Sequence, residues 1–376
     1  MSESDALFET FEFEGVSLDN RVGLAPMTRT SATDDGRATE RMARYYAKFA
    51  RGGFGFLVSE GVYPDTEYSQ GYLNQPGLAT EEQTDAWEKV TEAVHEEGKP
   101  IFAQLMHAGA ISQGNPHADE TVAPSAIQPE GEKSELYGGS GAFDTPRELT
   151  IEELGDIEAS FVEAAKNAKE AGFDGVELHA ANGYLLNEFL APDANQREDR
   201  YGGDAENRAR FPAEVVEAVS EALPDEFVVG IRVSQTKVND ETYEWPGEEY
   251  AATVFEALSD AGADYIHTTE GDGLAPAFGD DGPTLAEVAV EHADAPVVAN
   301  GGLGDPDSAR AALDAGADLL TLGTSALANA DWPERVRNDE ELAEFDPGAI
   351  LVPEATIGDE ELPDADADAV AETADD

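Results

Sequence analysis

The chain has 376 residues, with 81 acidic side chains against 22 basic ones and a formal net charge of −59. So strong a negative charge excludes general nucleic-acid binding and disfavours anionic membrane surfaces, since both kinds of partner require a basic protein surface. The chain has no cysteine, which excludes disulfides, thiolate zinc sites, cysteine nucleophiles and cysteine-ligated iron–sulfur clusters.

The acidic excess is typical of proteins from salt-loving organisms that keep molar salt in the cytoplasm. The 22 basic residues are 15 arginines and 7 lysines, and we interpret the surface as solvated and screened by salt. The first fifteen residues lack the basic and apolar regions of a signal peptide, and no stretch approaches about 18 uncharged apolar residues. We therefore expect a cytoplasmic protein without a membrane span, and the sequence leaves a homo-oligomer open.

Most of the chain repeats a short apolar run followed by a longer, charged segment with helical periodicity. Near-continuous apolar strands separated by helices indicate a parallel sheet that is covered by helices. Eight such units fit a single closed (β/α)8 TIM barrel. The predicted strands span residues 22–28, 54–61, 100–107, 175–181, 227–234, 265–271, 296–302 and 319–327.

Three segments lie outside this repeat. Residues 7–19 alternate apolar and polar side chains and predict an N-terminal hairpin that closes the bottom of the barrel. Residues 108–149 are rich in Gly, Pro and Ser and too long for a plain connection, which predicts a lid or a subdomain after strand three. The barrel domain would span residues 1–352, and the Asp-, Ala- and Glu-rich residues 353–376 predict a disordered acidic tail.

The carboxyl ends of the strands form the active sites of TIM barrels, so their residues indicate the chemistry. These ends carry neutral hydrogen-bonding side chains, one arginine, and glycines on strands seven and eight. Those two strands commonly form a phosphate site, because glycine lets backbone N–H groups approach the phosphate closely. The sequence therefore predicts a phosphate-bearing cofactor. The residues at these ends include Pro26, Met27, Thr28, Glu60, Gly61, Gln104, Met106, His107, His179, Asn182, Tyr184, Arg232, His267, Glu270, Asn300, Gly301, Gly302, Gly323 and Thr324.

Residues 172–211 form the most specific stretch, GFDGVELHAANGYLLNEFLAPDANQREDRYGGDAENRARF. Together with NRVGLAPMTR at 20–29 and FAQL at 102–105, it resembles the old yellow enzyme family of FMN-dependent ene-reductases over residues 7–345. The resemblance implies an enzyme that oxidises NAD(P)H and reduces activated C=C bonds of enones, enals and nitroalkenes. Hydride would pass through flavin N5 in a ping-pong order, with FMN bound tightly and NAD(P)H bound transiently.

The resemblance also implies which residues contact the flavin ring. Pro26, Met27 and Thr28 match the segment along the ring, and Thr28 matches the threonine near C4=O and N5. Gly61 matches a backbone donor to the same edge. Gln104 matches the glutamine that pairs with the pyrimidine edge.

Arg232 matches the arginine beside N1 and C2=O, where a fixed guanidinium stabilises the negative charge of the reduced ring. Gly302, Gly323 and Thr324 fall in the phosphate loops. Many relatives have arginine where Thr324 stands. We therefore expect backbone N–H groups and the Thr324 hydroxyl to form a neutral cradle for the phosphate.

His179 and Asn182 match the pair that grips the activating oxygen of the substrate, and Tyr184 matches the proton donor. Two donors can stabilise the negative charge that develops on that oxygen, and a phenol can protonate the α-carbon. Met106 stands where many relatives have tryptophan. Ala110 ends the segment His107–Ala110, which in relatives is frequently His-x-Gly-Arg. These two departures concern the range of substrates.

Two other functions stay open on the sequence. A metal-dependent barrel hydrolase could use Glu60, His107, His179 and His267, although strand one has no His-x-His and strand four no bridging lysine. The second alternative is a barrel that binds flavin without catalysis. It stays open because Thr324 stands where many relatives have the arginine that holds the FMN phosphate. We favour the ene-reductase and predict no metal site.

Overall fold

A computed structural model describes residues 5–13 and 15–362 of the chain. The strands in this part are β1 Phe11–Phe13, β2 Val16–Leu18, β3 Val22–Leu24, β4 Phe56–Val58, β5 Ile101–Leu105, β6 Val122–Ala123, β7 Arg147–Glu148, β8 Gly175–Asn182, β9 Val228–Lys237, β10 Tyr265–Thr269, β11 Val297–Asn300 and β12 Leu319–Leu322. The α-helices are α1 Glu40–Arg51, α2 Glu81–Glu96, α3 Ile151–Glu170, α4 Leu185–Leu190, α5 Ala205–Ala222, α6 Glu248–Asp260, α7 Leu285–His292, α8 Pro306–Asp314, α9 Thr324–Ala328, α10 Trp332–Arg337 and α11 Pro347–Ile350.

Strands β3, β4, β5 and β8 to β12 pair with one another in that order and close into a barrel, with β12 beside β3. All the pairings are parallel, and their register places Gln104 opposite Glu177 and His179 opposite Arg232. His267 lies opposite Arg232 on the next strand. The predicted (β/α)8 TIM barrel is therefore confirmed, and its register gathers polar side chains from four neighbouring strands.

Helix α3 shows how the local sequence sets the outer layer. The Thr150 side chain accepts from the Glu153 backbone N–H, and the Glu153 side chain accepts from the Thr150 backbone, which makes a capping box. Leu154, Ile157 and Phe161 follow at helical spacing and are buried against the barrel. Within the described residues, no helix is long and apolar enough to cross a membrane.

The N-terminal hairpin closes the bottom of the barrel, as predicted. Strands β1 and β2 pair antiparallel, and residue 14 between them lies outside the described residues. The Phe13 ring lies 6.2 Å from the Phe102 ring and 5.6 Å from the Tyr265 ring. Gly230 leaves room for this aromatic layer, since a Cβ there would lie 2.1 Å from the Tyr265 ring.

The excursion between β5 and α3 forms a small two-stranded sheet, β6–β7, beside the barrel. Arg197 holds one end of this sheet, because its guanidinium donates to the carbonyls of Pro124 at 3.1 Å and Leu149 at 2.6 Å, the residues that follow β6 and β7. Tyr137 of the excursion reaches the carboxyl end of the barrel.

Most predicted strands are longer than the observed ones, and the largest difference at a single boundary is at the end of the eighth strand. The eighth strand ends at Leu322, and Thr324 opens helix α9 where the sequence prediction extended the strand to residue 327. Gly323 lies between strand and helix with φ −101° and ψ −93°. This conformation ends the extended backbone of β12, and α9 begins at the next residue.

Residues 353–362 belong to the predicted tail, and the expectation of disorder does not hold for them. Residues 353–362 pack on the barrel, where Arg29 Nη1 donates to Glu361 Oε2 at 2.6 Å. The Arg29 guanidinium is completely buried and also donates to the carbonyls of Ala355 and Thr356. A buried guanidinium requires such acceptors, and this segment supplies them. The rest of the predicted tail, residues 363–376, lies outside the described residues.

Candidate active site

A cleft of about 360 Å³ opens at the carboxyl ends of the barrel strands. All twelve site residues predicted from the sequence line it, so the structure brings the whole predicted set together. The volume lies within the usual range of about 300–1,000 Å³ for small-molecule sites. The lining residues that the sequence analysis did not assign to the site are Ala25, Arg29, Met106, Tyr137, Val238, Glu270, Gly271, Asn300, Gly301, Leu327 and Leu351.

The turn at the end of β8, residues 182–184, presents two of the predicted side chains to the cleft. Asn182 and Gly183 adopt positive φ angles of 64° and 88°, a conformation that Asn tolerates and Gly adopts freely. The Asn187 side chain clamps this turn: its Oδ1 accepts from the Gly183 N–H at 2.9 Å, and its Nδ2 donates to the carbonyls of Ala180 and Ser234. Asn187 is thus a positioning residue that the sequence analysis missed.

His179 and Tyr184 stand side by side in the cleft, with ring centroids 5.0 Å apart. Burial and the nearby Arg232 charge lower the pKa of His179 to about 3, so its ring is neutral near pH 7. Burial raises the pKa of Tyr184, which keeps its hydroxyl protonated. The buried Nδ1 of His179 has no hydrogen-bond partner among the described residues. A ligand oxygen in the cleft would satisfy it.

Arg232 lies on β9, the strand next to β8, and its guanidinium is fixed by two hydrogen bonds. Its Nη2 donates to Thr269 Oγ1 at 3.0 Å and to Asn300 Oδ1 at 2.9 Å. Asn300 Nδ2 donates in turn to the Thr321 carbonyl at 2.9 Å, which fixes the orientation of the Asn300 amide. The Arg232 Nε is buried without a partner in the described part of the chain, so it remains available to a bound acceptor. The sequence analysis noted Asn300 at a strand end without giving it a role.

A buried carboxylate, Glu177, lies beneath the cleft and orients Gln104. Glu177 Oε1 accepts from Gln104 Nε2 at 2.8 Å, while Oε2 accepts from the Tyr265 hydroxyl at 3.0 Å and lies 2.7 Å from His267 Nδ1. Burial by itself would raise the pKa of Glu177, but His267, the Arg232 charge and the Gln104 hydrogen bond hold it at about 2. Glu177 was missed, although its position two residues before His179 places it on the same face of β8.

The end of β3 carries Thr28, whose Oγ1 accepts from the Tyr72 hydroxyl at 3.2 Å. The Tyr72 ring stacks on that of Tyr137, with centroids 5.6 Å apart. Gly61 faces the same region, and a Cβ there would lie 2.8 Å from Met106 Sδ. Tyr72 lies in the connection between β4 and α2, and Tyr137 in the connection between β5 and α3. No local sequence pattern predicted that either tyrosine would lie near the site.

The loops after β11 and β12 form a cradle of backbone donors. The N–H groups of Gly302, Gly323 and Thr324 donate no hydrogen bond to other described residues. Gly301, with φ 128°, must be glycine, because a Cβ would lie 2.2 Å from the Glu270 carbonyl oxygen. These donors line one end of the cleft and suit an anionic group.

The four residues considered for a metal-dependent hydrolase do not form a metal site. His267 is bound inside the barrel by Glu177 and by Thr321 Oγ1, at 2.8 Å. Glu60 accepts from the backbone of Arg29 below the cleft. Across the residues that the structure describes, no group of three or more His, Cys, Asp or Glu side chains is placed to hold a metal ion.

The profile of the NADH:flavin oxidoreductase / NADH oxidase family matches residues 6–343. The chain is 31% identical to 12-oxophytodienoate reductase 2 of Arabidopsis thaliana over 96% of both lengths. It is 32% identical to an NADH oxidase of Thermoanaerobacter brockii over 90% of this chain and 51% of that protein. The old yellow enzyme homologue of Zymomonas mobilis matches with a TM-score of 0.84 and 32% identity, covering 96% of this chain and 99% of that one. Morphinone reductase in complex with tetrahydroNAD matches with a TM-score of 0.80 and 34% identity, covering 95% and 96%.

Proposed function

This chain belongs to the NADH:flavin oxidoreductase / NADH oxidase family, and we propose that it uses NAD(P)H to reduce activated C=C bonds. It is an FMN-dependent oxidoreductase. The proposed substrates are enones, enals and nitroalkenes, which follow NAD(P)H into the cleft in a ping-pong order. The observation that carries the proposal is that His179, Asn182 and Tyr184 face one cleft together with Arg232.

The residues in the cleft fit FMN. When bound, FMN supplies the redox chemistry, accepting hydride from NAD(P)H and delivering it to the alkene. Pro26, Met27 and Thr28 would lie along its ring, and Gly61 would donate to the edge that Thr28 meets. Gln104 would pair with the pyrimidine edge through Oε1, because its Nε2 is committed to the buried carboxylate below.

Arg232 supplies the fixed positive charge that a reduced flavin requires. Two neutral acceptors hold one end of the guanidinium and leave its Nε free. A guanidinium fixed in this way stabilises negative charge without having to reorganise. At the other end of the cleft, Gly302, Gly323 and Thr324 would hold the phosphate through their free N–H groups.

His179 and Asn182 would bind the activating oxygen of the alkene. Negative charge grows on that oxygen as the β-carbon gains hydride, and the two side chains stabilise it as hydrogen-bond donors. His179 is neutral near pH 7, and the one N–H group of a neutral imidazole can donate to that oxygen. The backbone of Asn182 is held by Ser234 and Val238, which restricts the direction of its amide.

Tyr184 would protonate the α-carbon after hydride transfer. Its raised pKa keeps the proton on the phenol until the substrate carbon becomes a sufficiently strong base. The 5.0 Å separation between its ring and that of His179 lets one substrate contact both side chains.

The proposal is tested with protein purified in high salt. Oxidised flavin that is retained through purification should give a visible absorption band. NAD(P)H should bleach the band under anaerobic conditions, and an enone should restore it. A band that NAD(P)H bleaches but no activated alkene restores would refute the reductase and favour a flavin-binding barrel without this catalysis.

A further inference from the structure

A second cavity, of about 230 Å³, shares the β8 turn with the active-site cleft. Asn182 and Tyr184 line the cleft, whereas Gly183 between them lines this side cavity. Gly183 packs tightly there, since a Cβ would lie 2.8 Å from Asn239 Oδ1. Much of the remaining wall is apolar and is formed by Ala110, Ile111, Ala123, Ile127 and Pro129.

Glu188 places an unpaired carboxylate oxygen in this wall. The residue is only 4% exposed, and its Oε1 accepts from the Ala110 N–H at 2.8 Å. Its Oε2 is buried and has no hydrogen-bond partner among the described residues. Burial raises the pKa of Glu188 to about 8, so a cation that pairs with this carboxylate would displace its proton. A buried oxygen of this kind indicates a missing partner.

The charges around the side cavity favour a cation as that partner. Lys237 is the basic residue of the lining, and its Nζ is committed to both carboxylate oxygens of Asp193, each at 2.6 Å. Glu130 and Asp240 add further negative charge. Asn239 Oδ1 is a second buried acceptor without a partner in the described part of the chain. The lining therefore offers acceptors that lack a hydrogen-bond partner among the described residues, whereas its basic residue, Lys237, is already paired with Asp193.

We propose that the side cavity binds a small organic cation of the alkylguanidinium class. Its charged head would pair with Glu188 and donate to Asn239, and its alkyl chain would contact the apolar wall. A planar guanidinium presents several N–H donors at once and is more weakly hydrated than an ammonium, so it suits a half-apolar cavity. A bare metal ion does not suit it, because no group of three or more metal-ligating carboxylates or histidines was found among the described residues.

The test is calorimetric titration of the full-length protein in molar KCl at a pH above 8, where Glu188 carries its charge. The ligands are n-butylguanidinium and, as its neutral isostere, n-butylurea. Four proteins are compared: the wild type, Glu188→Gln, Ala110→Arg and Glu163→Gln. Glu163 lies on the exposed surface of α3, so its substitution makes the same change in charge far from the cavity. Ala110→Arg keeps Glu188 but places a guanidinium from the chain itself in the cavity.

We expect saturable one-to-one binding of butylguanidinium to the wild type and to Glu163→Gln. Binding should weaken at least about tenfold in Glu188→Gln, since a charge-assisted pair is lost, and should disappear in Ala110→Arg. The fold of both cavity variants is checked by their melting transitions. Equal binding to the wild type and folded Glu188→Gln, equal binding of butylurea, or no saturable binding to the wild type would overturn the proposal.

Discussion

Gln104 Nε2 donates a 2.8 Å hydrogen bond to Glu177 Oε1, and this contact determines which end of the Gln104 amide faces the cleft. A carboxylate whose pKa is held at about 2 can only accept, so the NH2 group of Gln104 must point towards it. The amide oxygen is then left for a donor in the cleft. One buried charge therefore determines which group of the Gln104 amide faces the cleft.

Glu177→Gln should weaken FMN binding by about tenfold, because the neutral amide can no longer specify the orientation of Gln104. The substitution also disturbs the acceptors of Tyr265 and His267, so the melting temperature should fall. The measurement is fluorescence titration of the apoprotein with FMN, with Glu163→Gln as the charge-matched control. Unchanged FMN affinity in a folded Glu177→Gln protein would show that Gln104 is oriented by other contacts.

Replacing His179 or Asn182 with alanine should spare FMN binding and slow enone reduction by roughly 10²–10³-fold, the usual effect of losing one oxyanion donor. Affinity for phenols, which place an oxygen at the same position, should fall in both variants. These quantities come from steady-state kinetics and from the spectral change of the bound flavin on phenol addition.

The low pKa of His179 adds a second readout to this prediction. A folded-state pKa of about 3 means that the ring gains its proton only below that pH, so phenol affinity should stay constant between pH 5 and pH 7. The His179 assignment fails if both alanine variants retain wild-type turnover and phenol affinity.

Tyr184→Phe should slow the enone half-reaction and leave flavin reduction by NAD(P)H close to normal. The hydroxyl is required only when the α-carbon is protonated, so its removal affects one half-reaction. Stopped-flow absorbance measures the two half-reactions separately. A defect confined to reduction by NAD(P)H would assign Tyr184 a different role.

Thr324→Arg should tighten FMN binding by roughly tenfold to a hundredfold, the effect of adding one charged hydrogen bond of about 1.5–3 kcal/mol. Arg335 and Arg337, on helix α10, do not already supply this charge, because they pair with Asp331 and Glu334, respectively. The gain should be larger at the lowest salt concentration that keeps the protein folded than in molar salt.

Riboflavin, which lacks the phosphate, is the control for Thr324→Arg. Dissociation constants of FMN and riboflavin are measured for both proteins at both salt concentrations. An equal gain for riboflavin would show that residue 324 does not face the phosphate.

The melting temperature should rise strongly with salt, because a net charge of −59 repels itself at low ionic strength. The Debye length falls from about 30 Å at 0.01 M salt to about 3 Å at 1 M, which screens this repulsion. Calorimetry and flavin release on dialysis into dilute buffer measure the effect. A melting temperature that is independent of KCl between these limits would contradict the interpretation of the surface.

The sequence by itself determined the barrel and the residues of its cleft. Apolar strands alternating with charged helices admit few arrangements, and the carboxyl ends of parallel strands meet at one edge. Residues as distant in the chain as Pro26 and Thr324 could therefore be assigned to one site from their positions at strand ends. The roles proposed for them came from a resemblance to known enzymes, and they remain predictions.

Only the tertiary structure decided how these residues are supported. Glu177 is one acidic residue among 81 in the sequence, and its importance depends on hydrogen-bond partners from two other strands, β5 and β10. Arg29 finds its carboxylate partner, Glu361, 332 positions away, in a segment whose composition predicted disorder. The unpaired oxygen of Glu188 likewise depends on which side chains surround it. Local patterns record which backbone conformation a segment prefers, whereas the partner of a buried charge depends on contacts between segments that are distant in the chain.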